Sequence, residues 1–366
     1  MKISTVKDQF VRAVSLAERL VGKKESLPVL SCVLLEAQKN TFLIRATNLE
    51  AGIEIQIPAS VEEVGVIAVP AGILSQTLRS IGGDQVSLKT IEGNLSVESR
   101  GSKNLIKATP HEEFPLLTTE KKQKGFSIGR NQLLLGIQSV LYAASPSMIR
   151  PELGSVYISL EQGELIAAAT DSFRLAEKHV ARASKKDSIE LLVPLRHANE
   201  LVYVLERMME EEVEVVADDA QCTILGSGVR FVLRLVDAQF PNYREVVPKG
   251  FTTEVTLLKG DFSEVLRKAR VFSGGDQQIG LHVYPKQKMF SATARSSEVG
   301  EMSDSIDAAL SGDDLDINFH IGYLADCLSS VPSDSITLSF AGPGKPLVIR
   351  GASEGSFMYL VMPLNR

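Results

Sequence analysis

The chain has 366 residues, of which 44% are hydrophobic and 23% charged, and its formal net charge is −6. This composition is ordinary for a soluble globular protein, and the length predicts two to three domains. The negative net charge argues against a protein whose whole surface binds nucleic acid, but it permits a local basic face. The absence of tryptophan and the 6% aromatic content also disfavour single-strand binding by base stacking.

The same order of predicted elements occurs three times along the chain. Each third opens with an extended run and an amphipathic helix, predicted at residues 10–21, 133–143 and 262–272. A second helix follows a β-run in each third and is predicted at residues 69–81, 193–205 and 319–331. Alternating strands close each third.

The period of this repeat is about 120 residues, which is too long for the common solenoid repeats. It predicts three copies of one α+β domain, each with antiparallel sheet backed by two helices. We expect the copies at residues 1–122, 123–250 and 251–366. A chain of matched domains favours a symmetric assembly.

Basic residues recur on the predicted helices of all three thirds. For any single residue, an ordinary solvated helix face is the alternative interpretation, but recurrence on equivalent helices indicates a shared basic surface. The residues are Arg12, Arg19, Lys23, Lys24, Arg79, Arg196, Arg207, Arg267 and Lys268.

Motifs of catalysis are absent from the sequence. The Gly-Lys pairs at residues 22–23 and 344–345 lack the spacing of a P-loop, and no nucleophile elbow or zinc-binding His-Glu-x-x-His occurs. The five histidines are scattered without metal-ligand spacing. The sequence therefore predicts no enzyme, no metal and no cofactor.

The three cysteines, Cys32, Cys222 and Cys327, fall one in each third and in apolar surroundings. This pattern predicts buried, reduced thiols in a cytoplasmic protein. The longest apolar runs have the length of a strand and are far too short to span a membrane. We therefore expect a cytoplasmic protein without a membrane segment.

Two apolar segments are predicted to be exposed for binding. The first is the C-terminal run at residues 359–366, which contains Met362 and Pro363. Methionine is flexible and polarizable, which suits a groove that accepts several partners. The second is the turn at residues 170–176, which places Phe173 and Leu175 beside Arg174. A final core strand and an internal strand turn are the alternative interpretations.

Taken together, these segments resemble the bacterial DNA polymerase III beta subunit family, the sliding clamps. The resemblance covers the full chain in order, and only Ser172, Phe173, His320 and the last two residues depart from the family pattern. The matching motifs are Leu-Pro-Val-Leu at 27–30, Arg-Pro-Glu-Leu at 150–153, Thr-Asp-Ser-Phe-Arg-Leu-Ala at 170–176, Phe-Pro-Asn-Tyr-Arg at 240–244 and Met-Pro at 362–363.

The resemblance implies a processivity factor of the replicative polymerase that has no catalysis of its own. Two chains would join head to tail in a ring of six domains, with twelve helices around the hole. At roughly 10 Å between helices the circumference is about 120 Å. Subtracting the side-chain radius leaves an opening of about 28 Å, which admits duplex DNA. The basic helix residues would then face the DNA without reading its sequence.

The resemblance also implies a groove for partner peptides between the second and third domains. The expected partners are the replicative polymerase, the clamp loader, repair polymerases, mismatch-repair proteins and ligase. The groove residues would be Leu153, Thr170, Ser172, Phe173, Arg174, Leu175, Pro241, Val246, Tyr323, Pro346, Leu360, Val361, Met362, Pro363 and Leu364.

Ring closure predicts a homodimer interface between edge strands of the first and last thirds. Its residues would be Arg100, Lys103, Ile106, Val271, Phe272, Glu298, Glu301 and Asp304. Two other classes of protein remain open from the sequence. One is a monomeric interaction scaffold, and the other is a cytosolic enzyme with an unrecognised site.

Overall fold

A computed structural model gives the structure of residues 1–22, 27–115, 117, 124–180 and 189–364. The first third follows the predicted order of strand, helix, strands, helix and strands. Its elements are β1 (Lys2–Val6), α1 (Lys7–Glu18), β2 (Cys32–Gln38), β3 (Thr41–Thr47), β4 (Ala51–Pro58), β5 (Ser60–Glu63), β6 (Gly65–Pro70), α2 (Ala71–Ser80), β7 (Gln85–Ile91), β8 (Asn94–Ser99) and β9 (Ser102–Ile106).

The second and third thirds repeat this order. The second contains β10 (Lys124–Gly129), α3 (Arg130–Val140), β11 (Ser155–Glu161), β12 (Glu164–Thr170), β13 (Arg174–Val180), β14 (Ile189–Pro194), α4 (Leu195–Leu205), β15 (Glu212–Ala217), β16 (Gln221–Gly226) and β17 (Val229–Arg234). The third contains β18 (Thr253–Leu258), α5 (Lys259–Phe272), β19 (Gln278–Tyr284), β20 (Met289–Ser296), β21 (Gly300–Ser305), β22 (Ala308–Gly312), β23 (Leu315–His320), α6 (Ile321–Asp326), β24 (Ser335–Phe340), β25 (Leu347–Gly351) and β26 (Phe357–Val361).

The first helix of each third begins three residues before its predicted start. Lys7, Arg130 and Lys259 open these helices with a mostly polar first turn, which carries no apolar periodicity for a sequence pattern to detect. The predicted apolar faces are confirmed. Phe10 and Val14 of α1 and Phe262 of α5 are fully buried, and the Phe10 and Phe42 rings pack with centroids 5.3 Å apart.

The strands form antiparallel sheets, and the two largest combine strands of different thirds. The described strands order as β5-β1-β7-β8-β9, β10-β15-β16-β17-β4-β3-β2-β6, β14-β11-β12-β13-β26-β25-β24-β18-β22 and β21-β20-β19-β23. Pairing of β17 with β4 and of β13 with β26 links the thirds by backbone hydrogen bonds.

The chain divides into two compact units that cut across the repeat. The first unit comprises residues 1–131 and 199–235, and the second comprises residues 132–198 and 236–366. The central third contributes to both units because its strands belong to two different sheets. The domain boundaries after residues 122 and 250 remain predictions.

Candidate functional site

The candidate partner groove is built on the pairing of β13 with β26 in the second unit. Arg174 lies opposite Val361 and Leu175 lies opposite Leu360 in this antiparallel register. Facing residues of paired strands project to the same side of the sheet, whereas neighbours in sequence project to opposite sides. The pairing therefore places Arg174 with Val361 on one face, and Leu175 with Leu360 on the other.

The Arg174 side chain forms two ion pairs and an aromatic contact. Its Nε atom lies 2.9 Å from Asp171 Oδ2, and its Nη1 atom lies 2.6 Å from Asp326 Oδ2. Its guanidinium carbon also lies 4.4 Å from the centroid of the Tyr323 ring. Burial alone would lower the pKa of Arg174, but the hydrogen bond to Asp326 and the charge of Asp171 raise it.

The turn between β12 and β13 is held in a strained backbone conformation. Ser172 has a φ of 78°, a left-handed value that favours glycine and costs other residues free energy. A glycine at this position would adopt the same conformation without that cost. Asp171 Oδ1 accepts hydrogen bonds from the backbone N–H groups of Phe173 and Arg174, at 2.9 and 3.0 Å, and so fixes the turn.

The end of the chain is tied to this turn by backbone hydrogen bonds. The Met362 N–H group donates to the Phe173 carbonyl at 2.8 Å, and the Leu364 N–H group donates to the Asn318 carbonyl at 2.8 Å. The Tyr359 hydroxyl donates to the carbonyl of Tyr323 at 2.8 Å. The apolar C-terminal segment is therefore ordered beside the turn as far as Leu364.

The predicted groove residues divide into an exposed set and a buried set. Phe173 is 61% exposed and Val246 is 58% exposed, and Met362 and Leu364 are exposed as well. Ser172 is exposed, and Thr170, Arg174, Pro241, Tyr323, Pro346 and Pro363 are partly exposed. Leu153, Leu175, Leu360 and Val361 are buried in packed parts of the second unit. Their place in the groove stays a prediction.

The segment that contains Pro241 and Val246 covers the Leu175 face of the sheet. Tyr243 packs with Leu175 and Leu360 in one buried cluster, and its hydroxyl donates to Glu177 Oε2 at 2.5 Å. Burial and this contact raise the pKa of Tyr243 well above its ordinary value. Tyr243 thus fixes the short 3-10 turn at Tyr243–Val246, from which Val246 projects.

His320 occupies the position before α6 and contacts Tyr323. Its Nδ1 atom accepts the Tyr323 N–H group at 3.4 Å, and the two ring centroids lie 4.5 Å apart. Burial lowers the pKa of His320, and the positive charge of Arg174 lowers it further. The neutral imidazole is therefore favoured here, and it acts as the N-cap of the helix.

Most of the predicted basic residues that the structure describes are exposed to solvent, on helices or in the turns next to them. Arg12, Arg196 and Arg267 are exposed, whereas Arg79 pairs with Glu18 at 3.5 Å. Lys23 and Lys24 lie outside the described residues. The predictions that Arg19 and Arg207 lie on helices are wrong. Helix α1 ends at Glu18 and helix α4 ends at Leu205, and each arginine occupies the turn that follows.

Arg19 and Arg207 share an aromatic contact within the first unit. The Arg19 guanidinium carbon lies 4.6 Å from the centroid of the Tyr203 ring, and the Arg207 guanidinium carbon lies 3.6 Å from it. Arg207 also pairs with Glu206 at 3.2 Å. Cation–π stacking of this kind orients the planar guanidinium groups.

The predicted interface residues lie on or beside two outer strands. Lys103 is on β9, Glu301 and Asp304 are on β21, and each strand is the outermost of its sheet. Arg100 lies in the turn before β9 with a φ of 42°, and Glu298 lies in the turn before β21. Val271 is exposed at the end of α5, and Phe272 is partly buried.

Several of these charges already have partners within the chain. Lys103 pairs with Glu98 at 3.1 Å, and Lys268 pairs with Asp304 at 2.9 Å. The Lys268–Asp304 pair joins a residue predicted to face DNA with one predicted to face a second copy. Neither charge is therefore uncompensated in the isolated chain.

Ile106 was predicted as an apolar interface residue, and the structure corrects this prediction. Ile106 is 4% exposed, whereas its neighbour Leu105 is 59% exposed. Alternate residues of a strand face opposite sides, so only one of the two can face solvent. Leu105 was missed, and the alternation along residues 102–106 is the signal that could have identified it.

No group of three or more potential metal ligands is found among the described residues, and no helix there is long and apolar enough to cross a membrane. Cys32, Cys222 and Cys327 are buried free thiols, as the sequence predicts. Burial raises the pKa of Cys222 to about 12 and that of Cys327 well above its ordinary value. High thiol pKa values make these side chains poor nucleophiles.

Comparison with known proteins gives relatives along the full length. The beta sliding clamp of Staphylococcus epidermidis is 23% identical over 378 residues, covering 100% of this chain and 99% of the relative. That of Streptococcus pneumoniae is 26% identical over 370 residues, covering 98% of each.

Solved structures share the fold at similar identity. The DNA polymerase III beta subunit of Thermotoga maritima superposes with a TM-score of 0.94 at 24% identity, covering 100% of this chain and 99% of that one. A sliding clamp from Pseudomonas aeruginosa bound to griselimycin also gives a TM-score of 0.94 at 24% identity, with 100% of both chains covered.

Family-level matches account for all three thirds. The N-terminal, central and C-terminal domains of the DNA polymerase III beta subunit match residues 1–118, 127–242 and 244–365. The chain therefore belongs to the DNA polymerase III beta subunit family, the sliding clamps that serve as non-catalytic processivity subunits in DNA replication.

Proposed function

We propose that two copies of this chain join head to tail in a closed ring, which encircles duplex DNA and tethers partner proteins to it. The observation that carries the proposal is the threefold repeat of strand, helix, strands, helix and strands. Each repeat presents exposed basic residues on or next to its helices, among them Arg12, Arg196 and Arg267. A ring of such repeats directs positive charge toward a central hole.

Ring closure is proposed to use β9 of one copy and β21 of the other. Both are outer strands, and an outer strand has unpaired backbone groups that a second strand can join. Leu105 and Val271 would supply apolar contact, and Lys103 would exchange Glu98 for Glu298 or Glu301 of the second copy. Exposed ion pairs contribute only about 0–1 kcal/mol each, so they set register more than affinity.

Binding to DNA is proposed to be independent of sequence. Lysine and arginine neutralise phosphates and release counterions, and phosphate contacts carry no direct base information. A closed ring stays on DNA because of its topology, so strong contacts are unnecessary and would slow its movement. The acidic net charge of the chain disfavours DNA binding elsewhere on its surface.

Partner proteins are proposed to dock on the surface around Phe173, Val246, Met362 and Leu364. These apolar side chains are exposed, and rigid backbone contacts and the Arg174 ion pairs order the segments that carry them. We expect short apolar motifs of the replicative polymerase, the clamp loader, repair polymerases, mismatch-repair proteins and ligase to bind there. A cytoplasmic location follows from the proposed DNA substrate.

Topological retention tests the ring. The full-length protein is loaded on nicked circular duplex with a clamp loader, the complex is isolated by gel filtration, and the DNA is then cut once. We expect the protein to stay on the circle in high salt and to leave after linearisation. The variant Leu105→Asp, which places a charge at the proposed interface, should fail to be retained.

Two results would contradict the proposal. Equal retention on circular and linear DNA would mean ordinary binding, and no retention on either would favour a scaffold that encircles nothing. Sedimentation of the unmodified protein supplies the second criterion, because a monomer at all accessible concentrations excludes the dimeric ring.

A further inference from the structure

Arg19, Tyr203 and Arg207 form a three-residue cluster that the sequence does not bring together. Arg19 follows α1, Tyr203 lies in the last turn of α4, and Arg207 lies in the turn after α4. All three belong to the first unit. Both guanidinium groups contact the one Tyr203 ring, at 4.6 Å and 3.6 Å from its centroid.

The shared ring holds two positive charges close together. One guanidinium carbon lies 4.6 Å and the other 3.6 Å from the same ring centroid, so the distance between the two carbons cannot exceed the sum of these values. Arg207 is partly compensated by Glu206 at 3.2 Å. Arg19 forms no ion pair with any residue that the structure describes. The cluster therefore keeps an excess positive charge, which an anion would stabilise.

The arrangement also fixes how the two side chains are presented. Stacking on an aromatic ring orients a guanidinium plane, and the Arg207 Nη1 atom additionally donates to the Tyr203 carbonyl at 3.1 Å. An oriented guanidinium group offers a rigid fork of N–H donors that matches phosphate oxygens. Tyr203 thus reduces the side-chain freedom that both arginines would lose on binding.

We propose that Tyr203 is a positioning residue that holds Arg19 and Arg207 as an arginine pair that binds neighbouring phosphates of one DNA strand. The inference rests on the proposed function, which supplies the duplex. Phosphates follow one another about every 3.4 Å along the axis of each strand, so two guanidinium groups that contact one ring are close enough to contact phosphates of a single strand. The arginine pair recognises the charge and spacing of the phosphates and has no base preference.

The salt dependence of DNA binding tests the arginine pair. Binding of the full-length protein to a fluorescein-labelled 20-base-pair duplex is measured by fluorescence anisotropy. Arg19→Gln and Arg207→Gln should each lower the slope of log K against log salt concentration by about 0.9, and the double variant by about twice that. Lys39→Gln, at an exposed turn between β2 and β3, is the matched loss of one charge and should leave the slope unchanged.

Tyr203→Ala separates positioning from charge, because it removes the ring and keeps both arginines. We expect a threefold to tenfold loss of affinity in the otherwise unmodified protein and no further loss in the Arg19→Gln/Arg207→Gln background. Tyr203→Phe keeps the ring and should bind as the unmodified protein does. An effect of Tyr203→Ala that is equal in both backgrounds, or absent from both, overturns the positioning role.

Failure of the inference is distinguishable from failure of the proposed function. An unchanged salt slope in the double arginine variant, with normal retention on circular DNA, rejects the phosphate-binding role of the arginine pair and leaves the ring intact. Loss of topological retention by the unmodified protein rejects the ring. Where Tyr203→Ala reduces the melting temperature, Tyr203→Leu takes its place in both backgrounds, because it keeps an apolar side chain at this position and removes the aromatic ring.

Discussion

Arg174 and Arg19 make nearly the same aromatic contact in two regions of the molecule, but their charges have different surroundings. Arg174 stacks on Tyr323 at 4.4 Å and pairs with Asp171 and Asp326, and only 12% of its side chain is exposed. Arg19 stacks on Tyr203 at 4.6 Å and has no carboxylate partner among the described residues. The first arginine is neutralised and fixes the structure around it, whereas the second keeps a charge available for a ligand.

Arg174→Met should give the largest effect on stability. The substitution leaves the carboxylate of Asp171, whose side chain is only 10% exposed, without its cation. Removing one partner of a largely buried pair costs about 3–5 kcal/mol, and the greater exposure of Asp326 places the expected loss near 3 kcal/mol. Urea unfolding followed by circular dichroism measures it. A loss below about 1 kcal/mol would mean that the pair is as weak as a surface pair.

Deletion of residues 364–366 should weaken partner binding without disturbing the dimer. It removes the exposed Leu364 side chain and its backbone hydrogen bond to Asn318. We expect about a tenfold weaker affinity, which corresponds to about 1.4 kcal/mol. Anisotropy with a labelled short apolar peptide from the replicative polymerase measures it.

Leu258→Ala supplies the control for that deletion, because Leu258 is an exposed leucine of the same unit at the end of β18. It should leave peptide affinity unchanged. Unchanged affinity after the deletion would place the partner surface elsewhere, and a shift to monomer in sedimentation would show that the terminus serves assembly.

Ser172→Gly should stabilise the turn that carries Arg174. Glycine adopts a φ of 78° without steric cost, although it also gains freedom in the unfolded chain. The expected net gain is about 0.5–1 kcal/mol in urea unfolding. A loss of stability would show that the hydroxyl group or chain entropy matters more than the backbone strain.

Arg19→Met should have the smallest effect on stability, within about 0.5 kcal/mol of the unmodified protein, because an exposed arginine without a carboxylate partner holds little in place. Measured beside Arg174→Met, it tests the comparison directly, since the same substitution is made on the same kind of aromatic contact. Similar losses for the two variants would remove the distinction between a structural arginine and a ligand-facing one.

Local patterns in the sequence were sufficient to predict the repeat, the apolar helix faces and the charged edge strands. Phe10, Val14 and Phe262 are buried as predicted, because the amphipathic period is set within a few residues. The motifs around Arg174 and Met362 likewise indicated the family. Predictions about which neighbour faces outward were less successful, as Leu105 and Ile106 illustrate.

The sequence by itself determined the three α+β repeats and the set of residues that could form a groove or a basic surface. Tertiary structure decided which of them meet. Asp326, which binds Arg174, is 152 residues away along the chain, and Tyr203 meets Arg19 only through folding. The pairings of β13 with β26 and of β17 with β4 were equally invisible. Periodicity reports the side that a residue turns to the core, whereas ion pairs and strand partners depend on distant segments that no local pattern encodes.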